Sequence, residues 1–193
     1  MGGTRFIGVS LTKVLVEQGH EVVLFNRGNK PAPVAGVRQI HGDRTDPAQL
    51  KEKLKNESFE AIFDNNGREL SDTQPLVEIF GDRIQHFVYV SSAGVYLKSD
   101  QMPHKEGDKL DPKSRHKGKY ETENYLNEMG LPWTAIRPVY LECRGEDPRL
   151  SATGWNPDQY KTAKHDISTH FDGLNVKAQC LQNLDNPMLY RLI

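Results

Sequence analysis

Cysteine, net charge and long apolar runs are all scarce in this chain, and each scarcity narrows the field. Only Cys143 and Cys180 occur, without metal-ligand spacing, which leaves free thiols in a reducing compartment as the expected state. The 25 Lys and Arg are set against 26 Asp and Glu, a net charge of -1. No global basic field advertises nucleic acid, so any such site must be a local patch. No apolar run approaches the roughly 20 residues of a membrane-crossing helix, and no membrane span is expected. Neither a signal nor a transit peptide is legible at the N-terminus. The hydrophobic fraction of 36% and the mean hydropathy of -0.67 are low for an enzyme core. A length of 193 residues suits one domain with an appendage.

What is present begins at once. Met1-Gly2-Gly3-Thr4-Arg5-Phe6-Ile7-Gly8 reads as a glycine-rich phosphate-binding turn entering a helix. Gly2 and Gly3 permit a tight turn close to a pyrophosphate, and Gly8 permits close packing on a sheet. The helix is expected over residues 9–18, with Val9, Leu11, Val14, Leu15 and Val16 apolar and Gly19 as its stop. The motif also calls for a strand before it, and that strand is missing ahead of Met1. An ordinary turn is the competing reading.

Beyond this turn, strands and helices alternate. Residues 21–25 form an apolar run ending in Asn26-Arg27-Gly28-Asn29-Lys30. An acid at such a strand end suits the ribose of NAD; cations suit the 2′-phosphate of NADP. Asn26 and Arg27 therefore join Gly2 to Gly8 as cofactor candidates, with NADP or NAD as cofactor and a solvated basic turn as the alternative. Residues 37–40 suit a further strand, after which Asp43 is placed for an adenine edge. Asp46 caps a helix over 47–55 with Pro47 in its first turn. Residues 61–64 form a strand with Asn65-Asn66-Gly67 at its carboxyl end, and a helix follows over 71–80. The strand at 87–90 runs into Ser91-Ser92-Ala93-Gly94-Val95-Tyr96. A polar loop spans 97–119, a helix 120–129 closed by Gly130, and a last strand 133–140. This alternation predicts an α/β fold, a Rossmann-like doubly wound parallel sheet over residues 1–141 without its first strand. Residues 142–193 lack either period and read as a poorly defined C-terminal appendage.

Gly2-Gly3-Thr4-Arg5-Phe6-Ile7-Gly8, Ser91-Ser92-Ala93-Gly94-Val95-Tyr96, Lys119 with Glu123, and Ile136-Arg137-Pro138 together resemble the extended short-chain dehydrogenase/reductase (NAD-dependent epimerase/dehydratase) superfamily. The stretches from Ser91 to Asp100 and from Pro112 to Lys119 resemble an atypical chloroplast RNA-binding branch of it. The resemblance covers residues 1–141, while the superfamily's substrate-binding half is not recognisable after Tyr140. It implies that Lys119 fills the cofactor-ribose lysine position and Ser92 the substrate-orienting hydroxyl position, both as vestiges. The tyrosine expected four residues before the lysine is Arg115, which cannot trade a proton near neutral pH. Tyr120 faces another way on the helix and does not replace it. Arg5 replaces the middle glycine of the nucleotide motif and is itself a candidate phosphate contact.

Lys113, Arg115, Lys117 and Lys119, with His116, form a cationic cluster expected at the mouth of the old active site. They suit a phosphate backbone, with Tyr96 or Tyr120 to stack a base. The simpler reading is a solvated charged loop. The resemblance implies binding of stem-loop transcripts or ribosomal RNA and endoribonuclease activity. It further implies residence in the chloroplast stroma, in oligomeric complexes with ribosomal particles and a related paralogue. For cleavage, His116 is a candidate base with Lys119 as charge stabiliser; Asp43, Asp46 and Asp64 are candidates for a divalent metal if they converge. His41, His86 and His104 sit singly and read as surface or core-edge residues. Two further functions stay open: an NADP-linked epimerase or reductase acting on a nucleotide sugar or small carbonyl, and an inactive truncated product.

Overall fold

Short apolar runs separated by amphipathic stretches fold as parallel strands with helices between them. The computed structural model describes residues 1–100 and 104–138; the appendage expected over 142–193 lies outside them. The order is α1 (Ile7–Glu17), β1 (Val23–Asn26), β2 (Arg38–His41), α2 (Pro47–Leu54), β3 (Ala61–Asp64), α3 (Leu70–Phe80), β4 (His86–Val90), a 3-10 turn (Ala93–Val95), α4 (Lys117–Met129) and β5 (Trp133–Ile136). Every strand pair is parallel, from Val23 opposite Arg38 to Val90 opposite Ile136. The architecture is Rossmann-like, as the alternation predicts.

The strands form two sheets where the sequence suggests one. β1 pairs with β2, and β3, β4 and β5 form a second sheet in that order. No ladder joins β1 to β3. Between them lies the start of the chain. The Met1 nitrogen donates to the Phe63 carbonyl at 2.6 Å, and the Gly2 amide to the Phe25 carbonyl at 2.9 Å. Consecutive residues that bond to opposite neighbours are doing what a strand inside a parallel sheet does.

The core lies under the sheet surfaces, where Phe87, Phe80, Leu50, Leu76 and Leu126 are at most 1% exposed. Burying one such side chain stabilises the fold by about 1.5–3 kcal/mol. Several element ends fall a residue or two from the sequence pattern, as at Ile7 and Val23, and two differ by more, for identifiable reasons. α4 starts at Lys117, ahead of the apolar spacing at Tyr120, because its first turn is polar; its end, at Gly130 with φ 66°, is where expected. β5 stops at Ile136, just short of Arg137-Pro138, since proline cannot donate to a ladder. Asp46 accepts from the Gln49 amide at 3.0 Å and caps α2, with Pro47 in the first turn. No described helix is long and apolar enough to cross a membrane.

Candidate functional site

The carboxyl ends of β1 and β3 meet the turn that opens the chain, through Asn26 on Gly2 and the Phe63 carbonyl on Met1. Gly2 and Gly3 adopt φ of 83° and 100°, and a Cβ on Gly3 would fall 2.3 Å from a Leu24 methyl carbon. A Cβ on Gly8 would fall 2.7 Å from the Gly3 Cα. Glycine is thus required at both for α1 to lie against the turn. Buried Thr12 donates to the Gly8 carbonyl at 2.7 Å within the helix and also lies 3.4 Å from the Gly3 carbonyl of the turn. Phe6, with φ 49°, is the one non-glycine residue with positive φ among those described. Arg5 is exposed beside it.

At the end of β1, Asn26 works as a brace. Its Nδ2 donates to the Gly2 carbonyl at 3.3 Å, while Oδ1 accepts from the Gly28 amide at 2.8 Å and from Gln39 Nε2 at 3.3 Å. Arg27 is left exposed. Asp43 accepts from the Thr45 amide and hydroxyl at 2.9 and 2.8 Å. These bonds, with the charge of Arg27, hold its carboxyl below the ordinary aspartate range. Arg27 and Asp43 therefore flank one edge where the adenosine end of a dinucleotide would lie.

At the other end of the site Ser92 and Lys119 are engaged by the protein itself. Ser92 Oγ accepts from the Gly94 amide at 3.1 Å and caps the 3-10 turn. Ser91, one residue earlier, is buried with an unpartnered hydroxyl. Lys119 points inward: its amine donates to the Gly67 carbonyl at 2.9 Å and the Val90 carbonyl at 2.7 Å, and lies 5.1 Å above the Tyr89 ring. Burial, together with the charges of Arg44 and Arg68, lowers its pKa.

Arg115, in place of tyrosine, donates through Nε to His116 Nε2 at 3.1 Å. Guanidinium has no lone pair, so His116 must be the acceptor and its neutral ring carries the proton on Nδ1. Burial first, then Arg115 and Lys119, lower the His116 pKa. The ring lies tight over Gly94, where a Cβ would come within 2.3 Å of His116 Cδ2. Lys113 is exposed, and Lys117 pairs with Glu121 at 3.3 Å on the helix surface. Tyr96 is not free to stack a base: His104 is stacked on it at 4.5 Å, and Arg137 donates to its hydroxyl at 2.9 Å. Arg137 in turn grips Glu123 at 3.0 and 2.6 Å, tying the end of β5 to α4. Arg115, His116 and Lys119 are thus neighbours, with Lys113 and Lys117 on the surface beside them, but the Lys119 amine faces the strand ends.

The three aspartates offered for a metal do not converge. Asp46 caps α2, Asp43 holds Thr45, and Asp64 is fully buried against Arg44, which donates at 2.6 and 2.9 Å to its two oxygens. Asp64 also accepts from Thr73 at 2.7 Å and from the Gly67 amide at 3.1 Å. Among the described residues no group of three or more His, Cys, Asp or Glu stands close enough to hold a metal ion. The pair Arg44–Asp64 was beyond sequence reasoning because its members are 20 residues apart and Arg44 precedes a cap that explains its neighbourhood.

A family model described as NAD(P)H-binding matches residues 2–170. The chain belongs to the NAD(P)H-binding family. It is 45% identical over 155 residues to the chloroplast stem-loop binding protein of 41 kDa b of Arabidopsis thaliana, a match that covers 73% of this chain and 41% of that protein. It is also 40% identical over 68 residues to a 2-alkyl-3-oxoalkanoate reductase of Stenotrophomonas maltophilia, over 35% of this chain and 20% of the reductase. The UDP-glucose 4-epimerase of Thermus thermophilus in complex with NAD shares the fold with a TM-score of 0.62 at 20% identity, over 70% of this chain and 52% of the epimerase. The chain therefore spans well under two thirds of the length of these relatives. The glycine turn and Asn26 are the residues that could hold a dinucleotide here. At the other end of the site Arg115 keeps its protons at neutral pH, and the Lys119 amine is bonded to backbone carbonyls.

Proposed function

We propose that this NAD(P)H-binding-family domain binds structured RNA in the chloroplast, with the phosphate backbone on Arg115, Lys113 and Lys117 at the carboxyl ends of the strands. The observation that carries the reading is a permanent cation, Arg115, four residues before Lys119, where a reductase of this fold needs a phenol. The similarity to a chloroplast stem-loop binding protein supports the same reading. Phosphate contacts by arginine and lysine fix register without reading bases, which suits recognition of a folded shape. In an endoribonuclease of this design, a phosphate drawing Arg115 away would release the His116 Nε2 lone pair as the base for a 2′-hydroxyl.

The test is a titration of a stem-loop RNA at several salt concentrations. Replacing Lys113, Arg115 and Lys117 together with alanine should flatten the slope of log affinity against log salt by about two to three contacts. An unchanged slope in a folded variant would sink the proposal. A second reading, an NADP-linked epimerase or reductase, rests on the glycine turn formed by Gly2, Gly3 and Gly8 and on Arg27 at the end of β1. It requires NADPH-dependent turnover by the unmodified chain, and Arg27→Ala should then lose preference for a 2′-phosphate.

A further inference from the structure

We infer that Arg68, in the loop between β3 and α3, is a further phosphate contact of this cationic mouth, acting beside Arg115 across the first turn of α4. The inference rests on the RNA reading above and extends it to the loop that follows Asn65-Asn66-Gly67. Its basis is a close approach that only glycine allows. A Cβ on Gly118 would fall 2.5 Å from the Arg68 carbonyl oxygen and 2.1 Å from Glu69 Oε2. The missing side chain lets α4 press its first turn, with Arg115 and His116 just ahead of it, against the loop that carries Arg68.

The backbone around Arg68 is held. Gly67 donates its amide to Asp64 at 3.1 Å, and its carbonyl receives Lys119 Nζ at 2.9 Å and the Tyr89 hydroxyl at 3.1 Å. The Arg68 amide donates to Asp72 Oδ2 at 2.9 Å. The side chain projects from this fixed base as an exposed group, and among the described residues no carboxylate is paired with it. The nearest acid in sequence, Glu69, forms a capping box with Asp72 at the start of α3. The charge of Arg68 is one of those that lower the pKa of Lys119. A guanidinium fork on a rigid loop matches a phosphate bidentately and loses little freedom in doing so. The RNA backbone would then bridge two loops, one after β3 and one before α4.

The experiment compares Arg68→Ala, Arg68→Lys, Arg115→Ala and Lys53→Ala in stem-loop RNA titrations at several salt concentrations. Lys53 lies exposed on α2 and serves as the remote cation. Thermal unfolding of each variant accompanies the titrations. Arg68→Ala should weaken binding on the order of tenfold at low salt and reduce the salt slope by about one contact. Arg68→Lys should retain the slope while losing part of the affinity, and the unfolding midpoint should stay put. If Arg68→Ala matches Lys53→Ala while Arg115→Ala loses affinity, the assignment of Arg68 is overturned and the RNA reading stands. If neither Arg68→Ala nor Arg115→Ala differs from Lys53→Ala, both fall.

Discussion

Arg115 Nε lies 3.1 Å from His116 Nε2, so a permanently charged residue occupies the lone pair of its neutral neighbour. In the free protein, burial and the charges of Arg115 and Lys119 keep the His116 pKa below its ordinary value of 6.5. A bound phosphate reverses the balance by favouring imidazolium, so RNA binding should take up a proton. Affinity should then rise as pH falls from about 7.5 to about 5.5, the interval in which histidine charges. His116→Gln should flatten that dependence while leaving the salt slope at neutral pH nearly intact. An identical pH profile in both proteins would remove His116 from the binding surface.

Arg44 and Asp64 yield a prediction about stability. Burial alone would raise the Asp64 carboxyl, but hydrogen bonds and charge from Arg44 outweigh it and hold the group below the usual aspartate value. Asp64→Asn leaves the buried guanidinium with only Asp72, at 4.0 Å, as counter-charge and should cost about 3–5 kcal/mol in urea unfolding at pH 7. The sign of the pH effect follows from the lowered pKa. The pair's contribution is fully present above about pH 4, the unfolded aspartate value, and is lost as pH falls through the folded one. The gap between wild type and Asp64→Asn should therefore narrow only in strong acid. Arg44→Leu combined with Asp64→Leu should be far less harmful than either single change.

Lys119 separates holding the fold from holding a ligand. Its two hydrogen bonds to the Gly67 and Val90 carbonyls tie the loop after β3 to the end of β4. Charge-assisted bonds of this kind contribute about 1.5–3 kcal/mol each. Lys119→Met should lower stability by a few kcal/mol, yet weaken RNA binding per folded molecule less than Arg115→Ala does. The reverse ranking would mean that the amine leaves the carbonyls to meet the ligand.

The strands were legible because buried parallel strands are short apolar runs, as at Ala61–Asp64 and His86–Val90. The glycine turn was legible because positive φ and close approach both demand glycine, as at Gly3 and Gly8. The first turn of α4 was not, because Lys117, Gly118 and Lys119 carry no apolar period. Side-chain direction was also hidden: a lysine in a basic run reads as exposed, whereas Lys119 turns towards two strand ends. Tyr96 reads as a free aromatic, and only the fold places His104 on its face. The division into two sheets depends on which edges are paired, and no residue type reports that.

That division gives a last test. β1 and β3 lack a ladder between them, yet Met1 and Gly2 donate in turn to Phe63 and Phe25 on the two sides. Beyond Met1, β1 and β3 present backbone groups with no ladder between them, flanked by the buried side chains of Leu24, Phe25 and Ile62. An extended segment there would form ladder bonds on both sides, each with a net contribution of about 0.5–1.5 kcal/mol, and would bury apolar side chains on both faces. Against this stands an ordering cost of about 1–2 kcal/mol per residue. An added segment of five Val and Ile residues joined to Met1 should come out ahead and raise the unfolding midpoint on the order of 10 °C, since 1 kcal/mol moves a domain of this size by about 2–4 °C. A segment of equal length made of Gly and Ser lacks the apolar faces and pays more entropy, so it should leave the midpoint nearly unchanged. Equal midpoints for the two extended proteins would mean that the space between β1 and β3 does not accept a strand.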